Sequence, residues 1–468
     1  MKGLVMCATT VLLLLIWSAT VWAAGINEST LAFGRLGTVH LYRQAEHPSK
    51  VVLFVSGDGG WNLGVVDMAK ELAGLDALVV GIDIVHYLKG ISHSSEACFY
   101  PAADFEALSK YAQKRLGYPD YVQPLLVGYS SGATLVYALL AQAPANTFKG
   151  AISLGFCPDL PLAETPCKGS GLAWTKDPKK PVYYFLPAER LGNPWVAFQG
   201  AIDQVCNPEK TGEFVQKVKG AQIVMLPKVG HGFGVSKNWL PQFKETFIRL
   251  TAESKPALKT EHPDLPIVEV IAKAPQKNVM AVLLTGDGGW AGIDREIAAG
   301  LAQQGVSVVG LDSLKYFWTA RTPDSAARDL TRLLDYYLGA WQKEKAVLVG
   351  YSLGADVLPF MAARLPDNLR GRIALIALLA PSRQTAFEFH LRDWIGGSDP
   401  SDQYPILPEV EKLRDLPLLC FCGKEERDSL CRDRLPPHAT VITMAGAHHL
   451  GGDDASIVKR IIAAMDQP

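Results

Sequence analysis

Two short stretches of this chain carry the residue types of nucleophilic acyl transfer, Gly128-x-Ser130-x-Gly132 and Gly350-x-Ser352-x-Gly354. Each follows an apolar run and precedes a helical stretch, Ala133–Ala143 in the first case and Ala355–Arg364 in the second. The chemistry requires a sharp strand-to-helix turn that lifts the serine hydroxyl above a sheet. Glycine two residues to either side relieves the crowding of that turn, and the helix that follows aims its first amides at the reacting oxygen. A lone motif of this kind often arises by accident. Its recurrence in the same context makes the signal specific.

Serine needs a base, and the base needs an orienting carboxylate, in the chain order Ser, acid, His. In the first half an apolar run, Trp195–Gln199, leads to Gly200-Ala201-Ile202-Asp203-Gln204-Val205-Cys206. A second run, Ile223–Leu226, leads to Gly230-His231-Gly232-Phe233. The expected triad is Ser130, Asp203 and His231. In the second half, Leu416–Phe421 leads to Gly423-Lys424-Glu425-Glu426-Arg427-Asp428-Ser429-Leu430-Cys431. Spacing from glycine favours Glu426. Matching Asp203-x-x-Cys206 with Asp428-x-x-Cys431 favours Asp428, which is taken as the acid with Glu426 as the alternative. Aligning His231-x-Phe233 with His448-x-Leu450 selects His448 over His449, so the second expected triad is Ser352, Asp428 and His448.

Each half also has a glycine-rich loop after its first strong strand, Gly57-Asp58-Gly59-Gly60-Trp61 and Gly286-Asp287-Gly288-Gly289-Trp290. Backbone amides there can approach a substrate and form one side of an oxyanion hole, near Gly288 in the second copy. The amide after the nucleophile, at Ser131 or Leu353, is the other expected donor. Asp287 is read chiefly as a brace for its own loop. Neither copy fits G-x-G-x-x-G or continues to Gly-Lys-Ser/Thr, so a nucleotide phosphate loop is excluded. The same parts require no metal or cofactor.

The elements that must hold these residues repeat. Leu78-Val79-Val80-Gly81-Ile82-Asp83 matches Val306-Ser307-Val308-Val309-Gly310-Leu311-Asp312, in the same order relative to the loops and elbows. This is an internal duplication. The Lys-, Glu- and Pro-rich stretch 252–266 lacks apolar periodicity and reads as a linker. It separates a domain over 24–251 from one over 267–468. Short β-branched runs alternate with amphipathic stretches such as Ala326–Tyr337, which predicts two tandem α/β-hydrolase domains with mostly parallel sheets flanked by helices. Chemistry then falls at the carboxyl ends of the strands. The segments between the nucleophile and acid strands read as too short for a large lid.

A chain of 468 residues agrees with two domains, and a net charge of −1 excludes a nucleic-acid binder steered by a basic surface. Lys2, the apolar run Val11–Trp17 and Val21-Trp22-Ala23 read as a signal peptide cleaved after Ala23 or Ala24. The mature protein is therefore expected outside the cytoplasm, in the periplasm of a Gram-negative cell. Cys7 lies within the apolar run. The other seven cysteines form no zinc-site spacing and read as disulfide formers, with one thiol of the second half left over. The expected pairings are Cys431 with Cys420 or Cys422, Cys157 with Cys167, and Cys98 with Cys206.

The second domain resembles the VirJ/AcvB family of bacterial periplasmic proteins. The resemblance rests on Gly286–Trp290, Lys315-Tyr316-Phe317-Trp318 with Arg321-Thr322-Pro323, the run Gly350–Phe360, Phe387-Glu388-Phe389-His390-Leu391 and Ala447–Leu450. The first domain resembles the N-terminal half of the longer, AcvB-like members. The resemblance implies hydrolysis of aminoacylated phosphatidylglycerol, such as the lysyl or alanyl ester. Its implied partners are phospholipid head groups at the membrane surface, with a link to virulence and secretion-system proteins. Asp287, Asp312, Glu425 and Glu426 are candidate partners for the ammonium of such a substrate. The family's specific residues surround Ser352, whereas Thr134 and Tyr137 stand where the second copy has Asp356 and Pro359.

Overall fold

The alternation of apolar side chains along the strands decides the architecture. In the run Lys50–Val55, Val51, Leu53 and Val55 enter one core cluster, while Val52 and Phe54 enter another on the opposite face. A strand buried on both faces belongs inside a sheet with helices on either side. The computed structural model describes residues 25–91, 98–252, 264–273, 275–389 and 403–465. The expected signal peptide and most of the expected linker lie outside the described residues, as do His390 and Leu391. Among the described residues, no helix is long and apolar enough to cross a membrane.

The first sheet comprises β1 (Asn27–Phe33), β2 (Gly37–Arg43), β3 (Lys50–Val55), β4 (Ala77–Ile82), β5 (Leu125–Tyr129) and β6 (Gly150–Leu154). After β6, a small antiparallel sheet is formed by β7 (Asp159–Pro161), β8 (Trp174–Lys176) and β9 (Val182–Phe185), and the main sheet resumes with β10 (Trp195–Gly200) and β11 (Gln222–Leu226). The second sheet holds β12 (Ile267–Val270), β13 (Val279–Leu284), β14 (Ser307–Leu311), β15 (Lys345–Tyr351) and β16 (Ile373–Leu379). A minor pair follows, β17 (Gln384–Thr385) and β18 (Tyr404–Pro405), before β19 (Leu418–Gly423) and β20 (Ala439–Met444).

Strand order is β1-β2-β4-β3-β5-β6-β10-β11 in one sheet and β12-β14-β13-β15-β16-β19-β20 in the other. Without β1 the two orders coincide, so the sequence repeat is a repeat of topology. From β2 and β12 onward, all pairings in each sheet are parallel except the first. The chain turns one way after β3 and the other way into β5, which makes a switch point between these strands. The second sheet does the same between β13 and β15. The glycine loop and the serine elbow of each domain flank that point.

The cysteines pair as Cys98–Cys167, Cys157–Cys206 and Cys420–Cys431, with Cys422 a buried free thiol. The expected Cys157–Cys167 and Cys98–Cys206 pairs are thus replaced. Phe99 accepts the Cys167 amide at 2.8 Å, which sets Cys98 beside Cys167. Cys157 and Cys206 each follow one of two adjacent strands, β6 and β10. Spatial neighbours in the sheet outweighed proximity in sequence.

The two domains touch across the carboxyl edge of the second. Trp318, Leu314 and Phe389 bury themselves with Tyr121 of the first domain, and the Trp318 indole donates to the Tyr118 carbonyl at 2.8 Å. The Lys315–Trp318 and Phe387–Phe389 segments, singled out in the sequence, therefore help to join the domains.

Candidate functional site

Both serines sit in the strained backbone that the elbow demands, with φ of 56° at Ser130 and 51° at Ser352. Side chains on the flanking glycines have no room. A Cβ at Gly128 would strike the Gly132 carbonyl, and one at Gly132 would strike Val55 and Ser56; Gly350 and Gly354 are crowded in the same way. The helices Ser131–Gln142 and Leu353–Ala362 start at the next residue, so their first amides point at the elbow.

The first relay is continuous. Ser130 Oγ lies 2.9 Å from His231 Nε2, and His231 Nδ1 lies 2.9 Å from Asp203 Oδ2. The other Asp203 oxygen accepts the amides of Val205 and Cys206, and Gln199 donates to Oδ2 at 3.0 Å. Burial pulls this carboxyl up, yet the bonds from His231, Cys206 and Val205 outweigh it and hold Asp203 below the usual carboxylate range. Asp203, Cys206 and His231 also cluster like metal ligands. Cys206 is locked in a disulfide and has no thiolate to offer.

The second relay corrects one residue. Ser352 Oγ lies 2.9 Å from His448 Nε2, and His448 Nδ1 lies 2.6 Å from Glu426 Oε1. Asp428, the acid expected from the repeat, is elsewhere: its side chain is 98% exposed and faces Arg383 at 3.4 Å. Glu426 stands three residues after Gly423, as Asp203 does after Gly200, so the two extra residues lie behind the acid. The cysteines used for the alignment are not equivalent, because Cys206 bonds Cys157 whereas Cys431 bonds Cys420. Arg432, which sequence reasoning missed, braces the acid loop by donating to the Gly423 and Lys424 carbonyls at 2.8 and 3.0 Å. His449 turns away from Ser352, its Nδ1 lying 3.0 Å from the Tyr351 hydroxyl. Burial and the neighbouring His448 hold its imidazole below the usual histidine value.

The glycine loops are tight turns closed by Gly60 N–H on Gly57 and by Gly289 N–H on Gly286. Gly60 and Gly289 have φ of 77° and 74°, and a Cβ on either would press on Asp83 or Asp312. Asp83 accepts the Trp61 amide at 3.1 Å, and Asp312 accepts the equivalent Trp290 amide as well as the Lys315 amide at 3.2 Å. Both carboxylates brace their loops. The Trp61 and Trp290 rings occupy the space that side chains at Gly81 and Gly310 would fill, which explains the paired Gly-Gly-Trp and strand-glycine signals. Around Gly286 the second domain gathers Asp287, Asp294 and Asp312. Burial raises Asp294 and Asp312 above the usual range.

Asp356, one helical turn after Ser352, is buried and accepts the Ser382 amide at 2.6 Å. Burial pushes its carboxyl up to about 8, against the bonds from Ser382 and with Asp287 and Glu426 adding to the rise. The folded protein therefore keeps this proton at pH values where the unfolded chain has lost it. The associated stability is full below about pH 4 and is lost as pH rises through about 8. Asp356→Asn retains a neutral acceptor, so its melting temperature should change little between about pH 5 and pH 8.5 while that of the wild type falls further. Parallel melting curves for the two proteins across this range would refute the assignment.

Two doubly wound sheets, each with a Ser–His–carboxylate relay at its switch point, define a tandem α/β-hydrolase. The chain belongs to the VirJ family, whose model, described as bacterial virulence protein (VirJ), matches residues 49–154 and 278–468. No curated protein matches the chain. Among solved structures, it is similar to XC6422 from Xanthomonas campestris, described as an a/b serine hydrolase without lid. That match has 18% identity and a TM-score of 0.33, and covers 50% of this chain and 99% of that one. The esterase domain of a Rhodothermus marinus protein matches at 16% identity and TM-score 0.32, covering 48% and 98%. Est1E from Butyrivibrio proteoclasticus matches at 13% and 0.32, covering 48% and 99%.

Proposed function

We propose that the protein is a periplasmic serine esterase that removes the amino acid from aminoacylated phosphatidylglycerol, using the second domain. The observation that carries the chemistry is the unbroken Ser352–His448–Glu426 relay beside the Gly286–Gly289 turn. His448 takes the proton of Ser352, whose oxygen attacks the ester carbonyl. The amides near Gly288 and Leu353 hold the oxyanion, with Asp287 shaping their loop. His448 then protonates the departing glycerol oxygen, and water releases the amino acid by the reverse sequence. Glu426 keeps His448 oriented and stabilises its charged form.

The aminoacyl lipid follows from the family resemblance, with support from the acidic residues around Gly286. A cationic acyl group is favoured beside Asp287, and its ammonium activates the ester. A head-group ester can be reached without drawing acyl chains into the protein. The intact first relay supports a second esterase centre for another acyl group. Lysyl- and alanyl-phosphatidylglycerol should be hydrolysed, and N-acetylation of the aminoacyl group should slow release at least about tenfold, the discrimination of one lost ion pair. Unchanged hydrolysis after acetylation removes ammonium recognition. Cleavage of nitrophenyl esters alone would make the protein a general esterase.

A further inference from the structure

We infer that Lys110 of the first domain is a positioning residue for the oxyanion turn of the second, so that the second site is built by both domains. The inference rests on the proposed esterase chemistry at Ser352.

Lysine is rarely buried without a partner, and the Lys110 side chain is only 1% exposed. It projects from the helix Pro101–Arg115, whose Phe105, Leu108 and Ala112 pack into the core of the first domain. Glu106, Lys110 and Lys114 are spaced four apart and share a stripe of this helix. The Lys110 ammonium meets Glu106 at 2.8 Å, lies 5.4 Å from the centre of the Phe389 ring and donates to the Asp287 carbonyl at 3.2 Å. One turn on, Lys114 reaches Glu388 at 3.2 Å. Asn146 of the first domain adds a bond to the Trp290 carbonyl at 3.1 Å. The first domain thus grips both ends of the Asp287–Trp290 turn.

The contact has a chemical consequence. The Asp287 carbonyl shares its peptide plane with the Gly288 N–H. An ammonium on the oxygen fixes that plane and polarises the amide, making the N–H a better donor. Fixed donors cost no reorganisation as negative charge develops on the substrate oxygen. Lys110 also offsets the charge of Asp312. In the first domain, among the described residues, the equivalent turn is held from within that domain, by Asn62 donating to the Gly59 carbonyl and by Asp83 accepting the Trp61 amide.

The test uses the full-length protein in a Ser130→Ala background, which confines turnover to the second site. Lys110→Met is compared with Lys110→Arg, and with Glu106→Gln/Lys110→Met so that no buried carboxylate is left unpaired. The readouts are kcat and KM on lysyl-phosphatidylglycerol, the rate of Ser352 labelling by a fluorophosphonate, and the melting temperature. Lys110→Met and the double variant should lose about tenfold or more in kcat and in labelling rate, below the 10²- to 10³-fold cost of deleting an oxyanion donor. KM should stay within about twofold, and Lys110→Arg should recover much of the rate. Folded variants that melt lower but keep wild-type kcat would show a contact that is only structural, and would overturn the inference. If Ser352→Ala leaves hydrolysis intact in the same background, the esterase reading itself fails.

Discussion

Ser352→Ala should reduce aminoacyl-lipid hydrolysis to the residual that oxyanion and binding contacts sustain, roughly 10³- to 10⁴-fold over water. Ser130→Ala should leave it within about threefold, because each relay is closed within its own domain. Three observations favour Ser352 over Ser130 as the seat of the proposed activity. The family match runs unbroken from residue 278 to 468, through Ser352, Glu426 and His448, but ends at residue 154 in the first domain, short of Asp203 and His231. The acidic surround of Gly286 has one member more than that of Gly57: Asp58 and Asp83 match Asp287 and Asp312, but Val65 stands where the second copy has Asp294. The second turn is also gripped from the neighbouring domain through Lys110 and Asn146. Losing one hydroxyl opens no appreciable cavity, so both variants should melt near the wild type. Purified single variants assayed on lysyl- and alanyl-phosphatidylglycerol decide the matter. An inactive Ser130→Ala beside an active Ser352→Ala would reverse the assignment.

Glu426→Gln should lower kcat by about 10⁴-fold, the cost of replacing the orienting carboxylate with an amide in a serine triad. A glutamine can present N–H to His448 Nδ1, which stabilises the tautomer whose Nε2 carries a proton and is useless as a base toward Ser352. It also withdraws the charge that stabilises the imidazolium. Asp428→Asn should leave kcat within about twofold, since the exposed pair with Arg383 contributes little. Arg383 keeps Asp433 as a partner at 3.0 Å. Steady-state kinetics on one ester substrate, with melting curves to show both variants folded, separates the two acids. An inactive Asp428→Asn with an active Glu426→Gln would return the triad to the order suggested by the repeat.

Much of this protein was legible in the chain because its signals are local. The elbow is a matter of backbone crowding, so glycines around Ser130 and Ser352 announce it. Parallel strands buried on both faces write apolar runs, and the duplication exposes both domains to the same reading. The order Ser, acid, His, with each group just beyond a strand, located Ser130, Asp203, His231, Ser352 and His448, which the fold brings within hydrogen-bond distance. The choice of Glu426 over Asp428 was not local. A two-residue insertion can be placed before or after the acid, and only the path of the loop braced by Arg432 shows which carboxylate faces His448. Disulfide partners separated by 69 and 49 residues became neighbours through strand packing and a loop bridge, a relation that sequence distance conceals. Lys110 has no motif at all. In sequence it is one lysine of an ordinary helix, and only the docking of that helix on the other domain carries its ammonium to the Asp287 carbonyl.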